Sequence, residues 1–249
     1  MMTDHILITG AASGIGAATA QMLAQRKGIR LTLMDQADAG LKAVSETLGN
    51  VEWRTVTMDV SDPDAWGHLD LEKAGFTGAV ICAGVSDAGL IADMSFEDWR
   101  RVLSVNLDGA FLSMQAVLNH CLDGASIVAV SSASGHKAAP MTGAYGASKA
   151  GLSQLVKVAA LEAAARNVRV NAVAPGGVKT PMFSDQEFFE SFKAEHGGEE
   201  GAWAALAQAT PLQRFAEPEE IAALIAFLLG PESASMTGAI LNCDGGYGL

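Results

Sequence analysis

His5–Ala18 reads HILITGAASGIGAA: an apolar run stops at a glycine, turns through small residues, and restarts as a helical pattern. An apolar strand feeding a glycine-rich turn at the mouth of a helix puts Gly10, Gly14 and Gly16 where a backbone must turn sharply and can approach a pyrophosphate. Amide groups at the helix start would hold the phosphates. A glycine cluster alone is weak evidence, since any tight turn uses one; the strand before it and the helix after it make the nucleotide reading the stronger one.

Working outward, the next apolar run, Ile29–Asp35 (IRLTLMD), ends on an acid nineteen residues after Gly16. A carboxylate at that place accepts hydrogen bonds from the adenine ribose hydroxyls. A 2′-phosphate would meet like charge at about 4 Å, costing up to roughly 4 kcal/mol at an effective dielectric of 20 and less once screened. No lysine or arginine flanks Asp35, so the sequence predicts NAD over NADP.

Further short runs follow at 51–60 (VEWRTVTMDV), 78–84 (GAVICAG), 126–132 (SIVAVSS), 168–176 (VRVNAVAPG) and 238–246 (GAILNCDGG). Helical patterns alternate with the runs, among them Ile15–Arg26, Phe96–Leu118, Ala144–Ala165 and Pro218–Leu229. Such alternation predicts one doubly wound α/β domain over residues 1–249, with about seven parallel strands covered on both faces. Pro181–Pro218 departs from the rhythm. SDQEFFESF offers a capping-box start at Ser184 and Glu187, HGGEEG breaks it, and AWAALAQA begins again, so 181–217 reads as an inserted lid.

The 249 residues are 49% hydrophobic, enough for one sizeable core. A formal charge of −12 argues against nucleic acid, anionic membranes and an acidic carrier protein as partners. Cys82, Cys121 and Cys243 are odd in number and lack CxxC spacing, and the five histidines show no ligand spacing, so no disulfide framework or metal is expected. The start MMTDHILITG has no basic region before an apolar run, and no uncharged segment approaches about 18 residues. The expectation is a soluble, cytoplasmic protein.

Ser131–Gly151 reads SSASGHKAAPMTGAYGASKAG. Tyr145 and Lys149, four apart on a helix, project from one face. Ser132 ends a strand run, at the carboxyl edge where open α/β sheets keep their ligands. To act as a base near neutral pH the phenol must lose about 2 to 3 pKa units, roughly 3 to 4 kcal/mol, which a cationic lysine helped by an oxidised nicotinamide could supply.

With these residues the chain resembles the short-chain dehydrogenase/reductase family in its compact branch, with a Rossmann-type fold. The match runs through TGAASGIG, Asp35, Asp59-Val60, CAG at 82–84, Asn106 in SVNLDGA, Ser132, YGASK, VNAVAPGGVKT and the late DGG. The resemblance implies an oxidoreductase interconverting a secondary alcohol and a ketone. Tyr145 would be the acid/base and Ser132 the partner of the substrate oxygen. Lys149 would hold the nicotinamide ribose and depress the tyrosine pKa, and Asn106 would bind a water linking Lys149 to solvent. Ser13 and Ile15 would join the glycines of the first turn in holding NAD, Asp59 and Val60 would face the adenine, and Ala83 and Gly84 would pass the ribose. Pro175, Gly176, Val178 and Thr180 would complete the cofactor set. The resemblance also implies a homotetramer paired through the long helix, whose Leu152, Leu155, Val156, Val158, Ala159 and Leu161 exceed the apolar surface one side needs. Two departures stand out: the family usually has asparagine where Ile81 and Cys82 precede Ala83-Gly84, and short spacings around Asp59 should trim helices on the sheet.

Ser86, Ser134, Met141, Gly177, Met182, Phe183 and Phe188 are the candidate pocket wall for a small alcohol or ketone; the aromatic lid suits weakly polar cyclic alcohols. Lys137, Lys179 and Arg214 are possible carboxylate clamps, and His136 is either near substrate or simply solvent-exposed. A carrier-linked ketoacyl reductase using NADPH and a non-catalytic NADH-sensing regulatory protein are the competing readings. Asp35 and the negative charge oppose the first; the set Asn106, Ser132, Tyr145 and Lys149 opposes the second. An enoyl reductase usually spaces its tyrosine and lysine more widely.

Overall fold

The computed structural model describes residues 4–71, 74–86 and 88–249, with the side chain of residue 187 outside the description. Parallel strands with buried, β-branched sequences form one seven-stranded sheet. The strands are β1 (Asp4–Thr9), β2 (Ile29–Asp35), β3 (Glu52–Thr57), β4 (Phe76–Ile81), β5 (Cys121–Val130), β6 (Arg169–Pro175) and β7 (Ile240–Cys243), in the order β3-β2-β1-β4-β5-β6-β7. Every pairing is parallel. The chain winds outward in both directions from β1 and β4, so the crevice beyond their carboxyl ends is the switch point where such sheets bind ligands.

Alternate strand residues feed two cores. One face buries Leu7, Ile81 and Ile127 against α5 (Gly109–His120) and α6 (Gly143–Ala163). The other buries Ile8, Leu33 and Val128 against α1 (Gly14–Leu23), α2 (Asp38–Ser45) and α10 (Pro218–Leu229). As the short spacings predict, α2 and α3 (Pro63–Gly67) span only eight and five residues.

The helix expected over Phe96–Leu118 is interrupted. α4 (Phe96–Leu103) passes through a π turn, Ser104–Asp108, before α5 begins. A π turn in a long helix often marks a functional site, and this one carries Asn106. Residues 181–217 form α7 (Pro181–Ser184), α8 (Glu187–Glu195) and α9 (Glu199–Leu206). The capping box expected at Ser184 is absent: Ser184 ends α7, and Gln186 occupies the N-cap of α8 without a side-chain bond. A reciprocal box forms instead at α10, where Glu220 accepts from the Glu217 amide at 2.9 Å. Gly197 and Gly198, both at positive φ, separate α8 from α9. Phe189, Trp203 and Phe215 bury one another with Ala202 and Ala207, so the segment has an aromatic core of its own.

Candidate active site

The first turn is built by close approach. Gly10 and Gly14 have φ of 67° and 51°, a region costly for other residues. A Cβ on Gly10 would lie 2.7 Å from the Ala83 amide nitrogen, and one on Gly16 would lie 2.0 Å from the Gly10 carbonyl oxygen. The start of α1 therefore sits directly on the end of β1. Thr9 answers the missing asparagine: its buried hydroxyl accepts from the Cys82 and Ala83 amides at 3.1 and 3.3 Å, fastening β4 to β1 across the switch point. Asp35 is aimed by backbone, its carboxylate oxygens accepting from Ala12 N and Ala37 N at 3.0 Å each.

On the other side of the crevice, β5 delivers Ser131 and Ser132. The Ser132 hydroxyl accepts from Ser134 N at 3.2 Å and donates to the Pro175 carbonyl at 3.4 Å, which holds it at the strand end. α6 supplies Tyr145 and Lys149 one turn apart. Lys149 is only 3% exposed, donates to the Val130 carbonyl at 2.9 Å, and lies 5.7 Å from the centroid of the Tyr145 ring. Gly84 passes beside it, since a Cβ there would come within 3.4 Å of the Lys149 ammonium nitrogen.

Burial dominates the electrostatics. It lowers the Lys149 pKa to about 8, against the usual 10.5, and pushes the Cys82 thiol up to about 11. The Tyr145 phenol is raised above its ordinary value by desolvation and, more weakly, by Cys82, while the hydrogen bond with Ser132 pulls the other way. In the chain by itself desolvation outweighs the Ser132 hydrogen bond at the phenol; the depression expected of Lys149 is one made together with an oxidised nicotinamide. Asn106, expected to bind a water linking Lys149 to solvent, has its side chain fastened within the fold. Its amide is buried and engaged, accepting from Val85 N at 2.8 Å and donating to Val85 O at 2.9 Å and to Ser148 Oγ at 3.1 Å. Ser148 in turn donates to the Tyr145 carbonyl at 2.7 Å, so Asn106 ties the β4 exit to the catalytic helix.

These groups share a cavity of about 520 Å³. Gly10, Ser13, Gly14, Ile15, Asp35, Asp59, Val60, Ala83 and Gly84 line it from the glycine-turn side, and Ser132, Tyr145, Lys149, Pro175, Gly176, Val178 and Thr180 from the other. Gly16 is behind the lining, as its packing role requires. Of the expected pocket wall, Ser86, Met182 and Phe183 line the cavity. Ser134 and Met141 face a separate hollow, Gly177 packs under the Phe215 ring, and Phe188 is exposed outside both. Gln36, Met58, Cys82, Val85, Arg101, Val105, Ser131, Asp185 and Gln186 also line the cavity and were not anticipated. Arg101 and Val105 precede Asn106 at helical spacing, a signal that could have found them; Gln36 and Met58 adjoin the acids that were chosen. The three possible clamps lie outside the lining. Lys179 pairs with Glu217 at 2.5 Å, Arg214 reaches both Glu220 oxygens at 2.6 Å, and Lys137 donates to the Tyr247 carbonyl. His136 is exposed.

Among known proteins, a family model described as enoyl-(acyl carrier protein) reductase matches residues 10–248. An NADP-dependent (R)-specific alcohol dehydrogenase of Lentilactobacillus kefiri is 36% identical, covering 99% of each chain. A cis-4-hydroxycyclohexanecarboxylate dehydrogenase of Sinomonas cyclohexanicum is 36% identical over 97% of this chain and 95% of its own. The crystal structure of levodione reductase superposes with a TM-score of 0.87 at 30% identity, covering 100% of this chain and 99% of that one.

Proposed function

The chain belongs to the short-chain dehydrogenase/reductase family and is an oxidoreductase of secondary alcohols and ketones, and from that premise we propose that it uses NAD, with Tyr145 as general acid/base. The observation that carries the reading is the convergence of Ser132, Tyr145 and Lys149 on one cavity whose far end holds the glycine turn and Asp35. The cradle fits a dinucleotide: Gly10, Gly14 and Gly84 line it, and the Asp35 carboxylate is held by the Ala12 and Ala37 amides where it can accept from ribose hydroxyls. When bound, the nicotinamide supplies the hydride acceptor or donor.

The chain's own residues then divide the work. The Ser132 hydroxyl, held by the Ser134 amide, turns its one proton from the Pro175 carbonyl to the substrate oxygen. Tyr145 takes the hydroxyl proton in oxidation and returns it in reduction. Lys149 contributes positive charge beneath the phenol, and Asn106 and Ser148 keep the catalytic helix in register with the β4 exit. The relative from Lentilactobacillus is NADP-dependent; the carboxylates Asp35 and Asp59 on the glycine-turn side of this cavity support the opposite preference here. The four-residue interval between Tyr145 and Lys149 favours carbonyl over enoyl chemistry. Residues 181–217 serve as a lid to a single domain, presenting Met182 and Phe183 to the substrate. The apolar Met182 and Phe183 in the lining favour a weakly polar cyclic alcohol as the substrate class. Val158 and Leu161 on α6 and Phe111 on α5 are exposed, which supports a homotetramer; a monomeric mass by light scattering would oppose it. The three free thiols suit a reducing cytoplasm.

The test is nicotinamide absorbance with NAD or NADP and a panel of cyclic, aliphatic and sugar alcohols. Tyr145→Phe is expected to lower turnover by roughly 10² to 10⁴-fold while NADH still binds. Undiminished turnover in that variant refutes the assignment.

A further inference from the structure

Lys149 is held at both of its ends by consecutive residues at the exit of β5. Its ammonium donates to the Val130 carbonyl at 2.9 Å, and its own main-chain carbonyl lies 3.1 Å from the Ser131 hydroxyl. One turn further along α6 the Ser153 hydroxyl reaches the same carbonyl at 2.9 Å and lies 2.7 Å from the Ser131 hydroxyl. A serine in a helix often bonds the carbonyl four residues back, and by itself that means little. Here a second hydroxyl, carried by the strand exit, joins it. Ser131 is 2% exposed and lines the cavity, and its amide donates to the Val173 carbonyl of β6 at 2.8 Å. The chain beyond β5 passes flush against the same carbonyl, since a Cβ on Gly135 would lie 2.9 Å from the Lys149 carbonyl carbon.

Each hydroxyl has one proton and two lone pairs, so the three contacts share two protons. Either Ser153 donates to the carbonyl and Ser131 to Ser153, or Ser131 donates to the carbonyl and Ser153 to Ser131. Both arrangements run an unbroken hydrogen-bonded link from β5 to the Lys149 main chain. The stem of a lysine is flexible, so its ammonium is placed by what fixes the two ends. With the main chain tied to Ser131 and the ammonium to Val130, the stem is strung between adjacent residues of one strand, and its head stays 5.7 Å from the Tyr145 ring centroid. The link through Asn106 and Ser148 reaches the Tyr145 carbonyl from the π turn; the serine pair is its counterpart at Lys149.

We propose that Ser131 and Ser153 are positioning residues acting through Lys149: the hydroxyl pair fixes the Lys149 main chain against β5 and so holds its positive charge where proton abstraction by Tyr145 depends on it. This rests on the reading of Tyr145 as the acid/base. The titratable neighbour shared by Tyr145 and Lys149 is Cys82 at the β4 exit, with Asp35, Asp59, Arg101 and Asp185 elsewhere in the lining; serine substitutions leave all of these in place.

The experiment follows oxidation of cyclohexanol and 2-propanol with NAD from about pH 6 to 10 in wild type, Ser131→Ala, Ser153→Ala, the double variant and Ser153→Thr. Below the limb along which the rate rises with pH, kcat scales with the fraction of ionised phenol, so each unit by which the limb moves lowers it about tenfold. Ser131→Ala is expected to move the limb about one unit to higher pH, with the KM for alcohol within about threefold and rates that return to wild type above the limb. The double variant is expected to be no worse than Ser131→Ala, because the two hydroxyls form one link. Ser153→Thr keeps a hydroxyl able to bond the carbonyl four residues back and is expected to retain the wild-type limb. Tyr145 and Tyr247 are the two tyrosines, so ultraviolet titration of the NAD complex in a Tyr247→Phe background reads the Tyr145 phenol without turnover; Ser131→Ala should raise it by about the same unit. A loss of rate or of melting temperature with the limb and the phenol unmoved overturns the proposal, since a merely structural role lowers rates at every pH alike, and so do unchanged rates or additive losses in the double variant. If wild type oxidises neither alcohol, the catalytic reading fails, and the phenol titration still decides whether the serine pair governs Tyr145.

Discussion

Replacing Lys149 with methionine separates the cost of the catalytic charge from its use. The lysine is almost wholly buried and burial lowers its pKa from 10.5 to about 8, so near neutral pH the folded protein carries a desolvated ammonium. The sign follows from proton counts: below pH 8 both folded and unfolded chains hold the proton and the full cost is present. Between about 8 and 10.5 the folded chain has released it while the unfolded chain retains it, so stability rises with pH. A fall from 10.5 to about 8 corresponds to about 3 kcal/mol. Methionine removes the charge but also the bond to the Val130 carbonyl, worth about 1.5 to 3 kcal/mol for a charged donor. The two variants should therefore have similar stability at pH 7, and the informative quantity is their divergence with pH. Wild type should gain about 3 kcal/mol on Lys149→Met between pH 7 and 10.5, roughly 6 to 12 °C in melting temperature for a chain of this length. Denaturant unfolding at a series of pH values measures it without substrate. Parallel stability curves for the two proteins would refute the claim that the lysine is desolvated.

Two further outcomes follow from other charged groups. At Asp35, removal of like charge in Asp35→Asn is expected to improve kcat/KM for NADP relative to NAD by roughly 30-fold, corresponding to about 2 kcal/mol of screened repulsion; equal use of both cofactors by wild type would contradict the charge argument. His5 is buried away from the cavity, its ring nitrogens 2.8 Å from the Ala74 carbonyl and the Thr32 hydroxyl, and Arg30 lies 2.9 Å from Nδ1. Burial lowers its pKa below 6.5, and the nearby Arg30 and Arg54 guanidinium groups lower it further, against the hydrogen bond to Ala74. The unfolded chain then takes up a proton the folded chain resists, so stability should fall as pH drops below about 6.5, and melting curves of His5→Gln between pH 5 and 7 should show a shallower acid decline.

The sheet was legible because parallel strands covered on both faces are written as short apolar runs, and each of the seven runs became a strand. Most residues proposed for the cofactor and the reaction could be brought to one crevice from sequence for a related reason: they sit at strand ends or near the starts of helices, where local sequence sets position. What escaped depended on contacts between distant segments. Nothing around Ser184 says that α8 would begin at Glu187 with Gln186 as its N-cap, because the aromatic core of Phe189, Trp203 and Phe215 decides where the helix packs. Ser134 and Met141 follow the catalytic strand in sequence, yet the chain turns them away from the cavity into a second hollow. Arg101 and Val105 lie four residues apart on the run into the π turn, and no local pattern announces that turn or what it aims at the cavity.

The tyrosine is where sequence and structure differ most usefully. Spacing alone makes Tyr145 and Lys149 neighbours, and neighbourhood suggests a lowered phenol pKa. In the folded chain Lys149 is held to the Val130 carbonyl, and burial raises the phenol instead. The same burial that keeps the phenol protonated also lowers the Lys149 pKa to about 8, and further positive charge entering the cavity would ease ionisation of the phenol alone. An oxidised nicotinamide carries such charge, and Lys149 gains acceptors from a bound ribose. On the proposed reading, proton abstraction by Tyr145 is conditional on cofactor occupancy, and burial keeps the phenol protonated in the chain without it. It follows that the phenol should titrate at lower pH in the NAD complex than in the free protein, and that Lys149→Met, which takes away the fixed share of the positive charge, should move the alkaline-directed limb of the oxidation rate to higher pH while leaving Ser132 able to hold the substrate oxygen.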